Sequence, residues 1–330
     1  MLPLYKRSRL PVATVASLLA LSVATNLLGT TVTSTWTGTN STLWSSAGNW
    51  SPSAVNPPSN GNNGVSDYNV IIGAPSPTVL DINVTIDSLT LNTGGNLQIS
   101  GNENLTINGP TVTDNGTITV DNGSTNAVTT IGFAANTSLT GNGTLFLDDN
   151  SNPVCAQLNT AANVTLTQTA NHTINGHGQI NALLLNNGTV NANVASTTLF
   201  LQSNNMTNNN LFEATAGSLN INSITVTQGG GGLLSAAGGT VNINSSTVTG
   251  GTLASSSGGV IQISGTSTIG GLTNSSTSLN ILGGATVSAT GDIVDNGIIT
   301  IDNGVTNAVT VLTFSGGNLS GTGTLFLNDN

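Results

Sequence analysis

Apolar and polar residues alternate along most of this chain, and the alternation recurs in units. Residues 217–221, 239–243 and 259–263 share the pattern Gly-x-apolar-polar-Ile, and a polar turn and a second alternating stretch follow. A period of two is typical of half-buried strands, and three short strands fit into each unit of about 20 to 22 residues. Because one unit cannot bury its apolar face alone, we predict an all-β chain of stacked coils: a parallel, right-handed, three-sided β-helix.

The predicted β-helix extends over residues 67–330, behind an N-terminal cap segment at 25–66. At about 21 residues per coil, this length predicts roughly a dozen coils and, at ~4.8 Å per coil, a rod on the order of 60 Å long.

A longer repeat overlies the short one. Residues 114–150 match residues 295–330 at an offset of about 181, so one super-repeat comprises eight or nine coils. Duplication of this kind lengthens a filament, and the phrase at the end of the chain lies in mid-repeat in the first copy. An open last coil exposes backbone hydrogen-bonding groups and apolar side chains. We therefore expect either a fragment of a longer repeat protein or head-to-tail self-association through the C-terminal coil.

Charge is scarce and one-sided. The three basic residues, Lys6, Arg7 and Arg9, all lie at the N-terminus, whereas the thirteen Asp and Glu residues lie at or beyond Asp67. A body without Lys or Arg cannot neutralise phosphates, so nucleic-acid binding is excluded as a function class.

Residues 1–24 resemble an export signal. Basic residues come first, residues 10–21 are apolar, and Ser22-Val23-Ala24 provides a small-residue cleavage site. An N-terminal membrane anchor is the alternative, although the apolar run is short for a span. We predict a secreted or bacterial cell-surface protein. Cys155 is the only cysteine, so no internal disulfide forms, and we interpret it as a small buried apolar residue.

Several phrases resemble those of a known group. The Gly-Asn-Gly-Thr-Leu-Phe-Leu phrase at 141–147, the phrase at 187–192 and the opening stretch from Trp36 to Ile72 are similar to bacterial surface proteins with autotransporter- or haemagglutinin-type β-helix repeats. The resemblance covers nearly all of the chain beyond residue 24, and it implies an exported, repetitive, adhesin-like passenger. Unlike autotransporters, this sequence has no C-terminal membrane β-barrel segment. The expected function is therefore structural or adhesive and non-enzymatic, with a cell-surface glycan or another surface protein as partner.

Trp36, Trp44 and Trp50 are the only tryptophans and lie within fifteen residues of one another. Aromatic faces suit the apolar faces of sugars, which makes these residues a candidate glycan-stacking platform. The alternative, which we favour, is that they cover the open edge of the first coil.

Catalysis is the second function class. Asp148-Asp149 and Gly176-His177-Gly178 resemble motifs of polygalacturonases, in which neighbouring aspartates act as acid and base on a glycosidic bond. The Asn-Thr-Asp and Arg-Ile-Lys signatures of that family do not occur here, and the acidic chain would repel an acidic polysaccharide. Asp148-Asp149 also aligns with Asn328-Asp329 of the second copy. We therefore predict no catalytic residues and no cofactor.

Metal and ice binding are weaker alternatives. His172 and His177 share no helical face and have no obvious third ligand, so we interpret them as solvated turn residues and predict no metal site. The Asp-Asn-Gly phrases, as at 114–116, are interpreted as structural turns. Thr225/Thr227 and Thr247/Thr249 form two rungs of a Thr ladder of the kind that binds ice. The next coil shifts register and is expected to break that row.

Overall fold

A computed structural model describes residues 30–73, 77–121, 123, 127–149, 155–302 and 308–328. It shows a parallel β-solenoid of about 11 turns, with 56% of residues in strands and 2% in helices. The predicted all-β parallel β-helix is confirmed, whereas its right-handedness stays a prediction. The predicted export signal lies outside the described residues. Within those residues, no helix is long and apolar enough to span a bilayer.

The strands are numbered in chain order and lie on three faces. Face 1 is a 14-stranded sheet. Its strands are β1 (Thr31–Trp36), β2 (Trp50–Ser51), β3 (Asp67–Ile72), β6 (Ser88–Leu91), β9 (Thr111–Asp114), β12 (Thr137–Thr140), β15 (Thr165–Gln168), β17 (Leu183–Asn186), β20 (Met206–Asn208), β23 (Thr225–Gln228), β26 (Thr247–Thr249), β29 (Thr266–Gly270), β32 (Thr286–Ala289) and β35 (Val311–Phe314).

Faces 2 and 3 belong to one 23-stranded sheet, because β16 (Thr173–Ile180) crosses the corner between them without a break. The other strands of face 2 are β4 (Thr78–Leu80), β7 (Asn96–Ile99), β10 (Thr117–Asp121), β13 (Thr144–Asp148), β18 (Thr189–Ala192), β21 (Leu211–Ala214), β24 (Leu233–Ala237), β27 (Thr252–Ser256), β30 (Leu272–Asn274), β33 (Ile293–Asp295) and β36 (Leu319–Ser320). Those of face 3 are β5 (Val84–Ile86), β8 (Asn104–Ile107), β11 (Thr129–Phe133), β14 (Ala156–Thr160), β19 (Thr198–Gln202), β22 (Ser218–Asn222), β25 (Thr240–Asn244), β28 (Val260–Ser264), β31 (Leu279–Ile281), β34 (Ile298–Asp302) and β37 (Thr324–Asn328).

The first coil departs from this parallel pattern. β1 pairs in parallel with β3 but antiparallel with β2, which blocks the edge of the stack on that side. Two short 3₁₀ turns, Ala47–Asn49 and Asn62–Gly64, complete the segment.

The core is one continuous column of inward side chains. Leu219, Val241 and Ile261 lie in register on three successive coils of face 3, and all are buried. Apolar surface removed from water in this way stabilises by roughly 25 cal/mol per Å², so each coil depends on the coils above and below it. Cys155 is buried as predicted.

Coil length is regular only in part of the solenoid. Thr225 pairs with Thr247 and Thr247 with Thr268, which gives the predicted coils of 22 and 21 residues. Ser138, however, pairs with Thr167, 29 residues further on. A uniform coil of about 20 to 22 residues was therefore wrong for the first part of the chain. The ladders fix the strands, whereas the turns between them lie at the surface and accept additional residues.

One corner of the interior is polar. The last residues of β15, β17, β20 and β23 (Gln168, Asn186, Asn208 and Gln228) are buried one above another. Asn186 Nδ2 donates to Asn208 Oδ1 at 2.8 Å, Asn208 Nδ2 donates to Gln228 Oε1 at 3.2 Å, and Gln228 Nε2 donates to the carbonyl of Gly250. Stacked amides satisfy one another where water is excluded, which makes this ladder compatible with burial.

Candidate functional site

The three tryptophans form one cluster at the first coil. Trp36 and Trp50 lie with ring centroids 4.9 Å apart, and Trp44 and Trp50 lie 4.5 Å apart. Trp44 Nε1 donates to the carbonyl of Pro58 and Trp50 Nε1 donates to the carbonyl of Trp44. All three side chains are buried, so the rings contact the protein and one another and present no open face for a sugar.

Face 2 brings together the residues of the polygalacturonase-like motifs. Asp121, Asp148 and His177 lie in register on three successive coils. His177 Nε2 is 3.4 Å from Asp148 Oδ1, and the Phe146 ring meets the His177 ring edge-on with centroids 6.5 Å apart. Gln98 Nε2 donates to Asp121 Oδ2 at 2.7 Å. The arrangement is an outward column of two carboxylates and one imidazole, a combination that can exchange protons with a bound substrate.

The two aspartates of the motif point in different directions. The Asp148 side chain is 30% exposed. Asp149 is buried, and its Oδ2 accepts hydrogen bonds from the backbone N–H groups of Cys155 (2.6 Å) and Ala156 (3.0 Å). Asp149 therefore holds the start of β14, and only Asp148 is placed to meet a ligand.

His172 lies inside the solenoid. Its Nε2 is 3.0 Å from Asp114 Oδ2, both side chains are fully buried, and Gln168 Nε2 donates to the His172 carbonyl at 2.6 Å. His172 Nδ1 is buried without a hydrogen-bond partner. The interpretation of both histidines as solvated turn residues was wrong, since His177 is also buried. The reason is that Asp114, 58 residues earlier, supplies an interior partner that no local pattern reveals.

The Asp-Asn-Gly phrases form closed turns. Oδ1 of Asp114 accepts the N–H of Gly116, and Oδ1 of Asp295 accepts the N–H of Gly297. These bonds match the predicted structural role, in which an Asp side chain bonds the backbone two residues on. Within the described part of the chain, no group of three or more His, Cys, Asp and Glu side chains is arranged to hold a metal ion.

The Thr ladder on face 1 ends where the sequence predicts. Thr225 and Thr227 pair with Thr247 and Thr249. On the next coil Thr249 meets Gly270, so one of the two columns loses its hydroxyl group.

Face 3 carries an outward column that was not predicted as a site. Its seven members lie in register on seven successive coils: Phe200, Asn220, Asn242, Gln262, Asn280, Thr300 and Phe326. The sequence contains its signal, because the polar position of the Gly-x-apolar-polar-Ile pattern is Asn220, Asn242 and Gln262 in turn. We call these seven residues the amide strip.

Comparison with known proteins leaves the family open. The chain matches no protein-family model, no curated protein sequence and no solved structure.

Proposed function

We propose that this chain is an exported, non-catalytic solenoid that acts outside the cell or at its surface, in a structural or adhesin-like role. The observation that carries the proposal is the unbroken stack of about 11 turns with in-register polar columns on its outward faces. Such a stack is a stiff rod with long, regular surfaces, which suits projection and attachment. The basic and apolar start of the chain supports the export step.

The export step is tested with the full chain in a bacterial host. We expect the chain to leave the cytoplasm and to be cleaved after Ala24, as read by mass spectrometry of the secreted form. A variant with Lys6, Arg7 and Arg9 replaced by Glu is the matched control and should be retained. A wild-type chain that stays in the cytoplasm with Met1–Ala24 attached would contradict the proposal.

Polysaccharide cleavage is the second candidate, favoured by the register of Asp121, Asp148 and His177 on face 2. In that case one carboxylate protonates the leaving oxygen and the other activates water or attacks the sugar. Against it, Asp148 is replaced by Asn328 in the second copy. Reducing-end release from neutral polysaccharides that disappears in Asp148→Asn and His177→Ala would establish the enzyme. We expect no release from the wild-type chain.

A further inference from the structure

The amide strip differs from the other polar columns in leaving its hydrogen-bonding groups unused. In the adjacent column of face 3, Asn244 Nδ2 donates to Asn222 Oδ1 at 3.0 Å and Asn181 Nδ2 donates to Asn159 Oδ1 at 3.0 Å. By contrast, the side chains of the four strip amides make no hydrogen bond to any described residue, and Asn220 Oδ1 is buried without a partner. Four neighbouring amides therefore present donors and acceptors in one line, where a simple stabilising ladder would pair them.

Aromatic rings stand at both ends of this line. Phe200 pairs with Asn220 at one end, and Phe326 pairs with Thr300 at the other. Phe200 is partly exposed and Phe326 is 53% exposed, although outward positions of a solenoid normally carry polar side chains. The two rings are six coils apart, which corresponds to about 29 Å at ~4.8 Å per coil.

The strip carries no charge. None of its seven members is ionisable, and the acidic column of face 2 lies on a different side of the solenoid. Neutral amides that donate and accept, together with flat apolar rings, match the hydroxyl groups and apolar faces of neutral sugars.

We propose that the amide strip binds an extended, neutral, β-linked polysaccharide that lies parallel to the solenoid axis. Phe200 and Phe326 stack on sugar rings at the two ends, and Asn220, Asn242, Gln262 and Asn280 bond hydroxyl groups between them. The coil spacing is comparable to the rise of one sugar unit in an extended β-1,4-linked chain, so one unit faces one coil. This inference rests on the proposed attachment role and names its ligand class.

Titration calorimetry of the full chain with cellohexaose, xylohexaose and cellobiose tests the strip. We expect a hexasaccharide to bind at least about tenfold more tightly than the disaccharide, because only the longer chain reaches both rings. Phe200→Ala and Phe326→Ala should each weaken hexasaccharide binding about tenfold, the loss expected for one stacked ring. Phe200→Tyr, which keeps the aromatic face, should restore it.

Thr227→Ala on face 1 is the matched control, since it lies on the same coil system and removes an outward side chain from another face. It should bind like the wild type, and circular dichroism should show all variants folded. Absence of binding to either hexasaccharide, or equal binding by Phe200→Ala, would overturn the proposal. Dimerisation of the wild type that Phe200→Ala abolishes would also overturn it, in favour of pairing between two strips. Export plays no part in this assay, so its outcome is separate from that of the export experiment.

Discussion

The two copies of the long repeat share their sequence but not their place in the solenoid. Asp114 closes β9 on face 1, whereas its counterpart Asp295 closes β33 on face 2. Likewise β13 lies on face 2, and the matching β37 lies on face 3. The second copy therefore lies eight coils and one face further along, rotated by about a third of a turn. Identical local sequence thus determines a strand and its inward side, but not the face on which the strand lies.

Burial differs between the copies for the same reason. Leu145 and Leu147 are fully buried, because the next coil places Ile174 and Gly176 beside them. Leu325 and Leu327 occupy the same positions of the repeat and are 41% and 72% exposed. The coil that follows, more than the residue itself, determines how much of a side chain leaves water.

The largest expected difference concerns this pair of leucines. Leu145→Ala should destabilise the chain by about 2–5 kcal/mol, since it removes buried methyl groups and leaves a cavity. Leu325→Ala should cost less than about 1 kcal/mol, because its side chain is partly solvated already. Urea unfolding of both variants measures the difference. Equal costs would show that neighbouring coils do not determine burial.

The second difference concerns the matched aspartates. Asp114 faces His172, whereas Asp295 accepts a hydrogen bond from Asn274 Nδ2 at 2.7 Å. Asp114→Asn should cost about 1–3 kcal/mol, because an amide either meets the Nε2–H of His172 or forces the proton to Nδ1, which has no partner. Asp295→Asn keeps an acceptor oxygen for Asn274 and should cost under about 1 kcal/mol.

Urea unfolding at neutral pH compares these two variants. The double variant Asp114→Asn/His172→Gln should recover part of the loss, which would identify the pair as its source. A larger effect at Asp295 than at Asp114 would contradict the comparison.

A third effect concerns association. The exposed apolar residues of the last described coil, Leu325 and Leu327 among them, are proposed to mediate self-association, because exposed strand edges pair readily. Leu327→Lys should suppress association in sedimentation velocity runs over a concentration series. Thr249→Lys adds the same charge in mid-stack and should not. A wild-type chain that stays monomeric at high concentration, with its last coil protected from hydrogen exchange, would rule the idea out.

The smallest effect concerns a carboxyl group between two coils. Burial raises the pKa of Glu213 above its ordinary value of 4.5. A raised pKa in the folded state means that this group's contribution to stability is complete below about pH 4.5 and is lost as the pH rises through the raised value. Glu213→Gln should therefore match the wild type in acid and be slightly more stable at neutral pH. Thermal melts of both proteins across this range check the sign; a variant less stable than the wild type at neutral pH would contradict it.

Much of the architecture was predictable from particular residues. The recurrence of Leu219-Asn220-Ile221 as Val241-Asn242-Ile243 predicts stacked strands, because a period of two separates an inward from an outward side. The same pattern contains the amides of the strip. That Phe200 and Phe326 share their column could not be predicted, since the register across coils depends on turns of unequal length.

By itself, then, the sequence determined the alternation, the parallel stacking and the inward position of residues such as Cys155. The tertiary structure alone decided that Asp114 meets His172, that the tryptophan rings turn inward, and that the second copy is rotated by one face. The physical reason is that inward and outward positions follow from local backbone geometry, whereas the face and the neighbour follow from the summed lengths of all intervening turns. β16, which crosses a corner without a break, shows how such a local change alters the coil without changing the alternation.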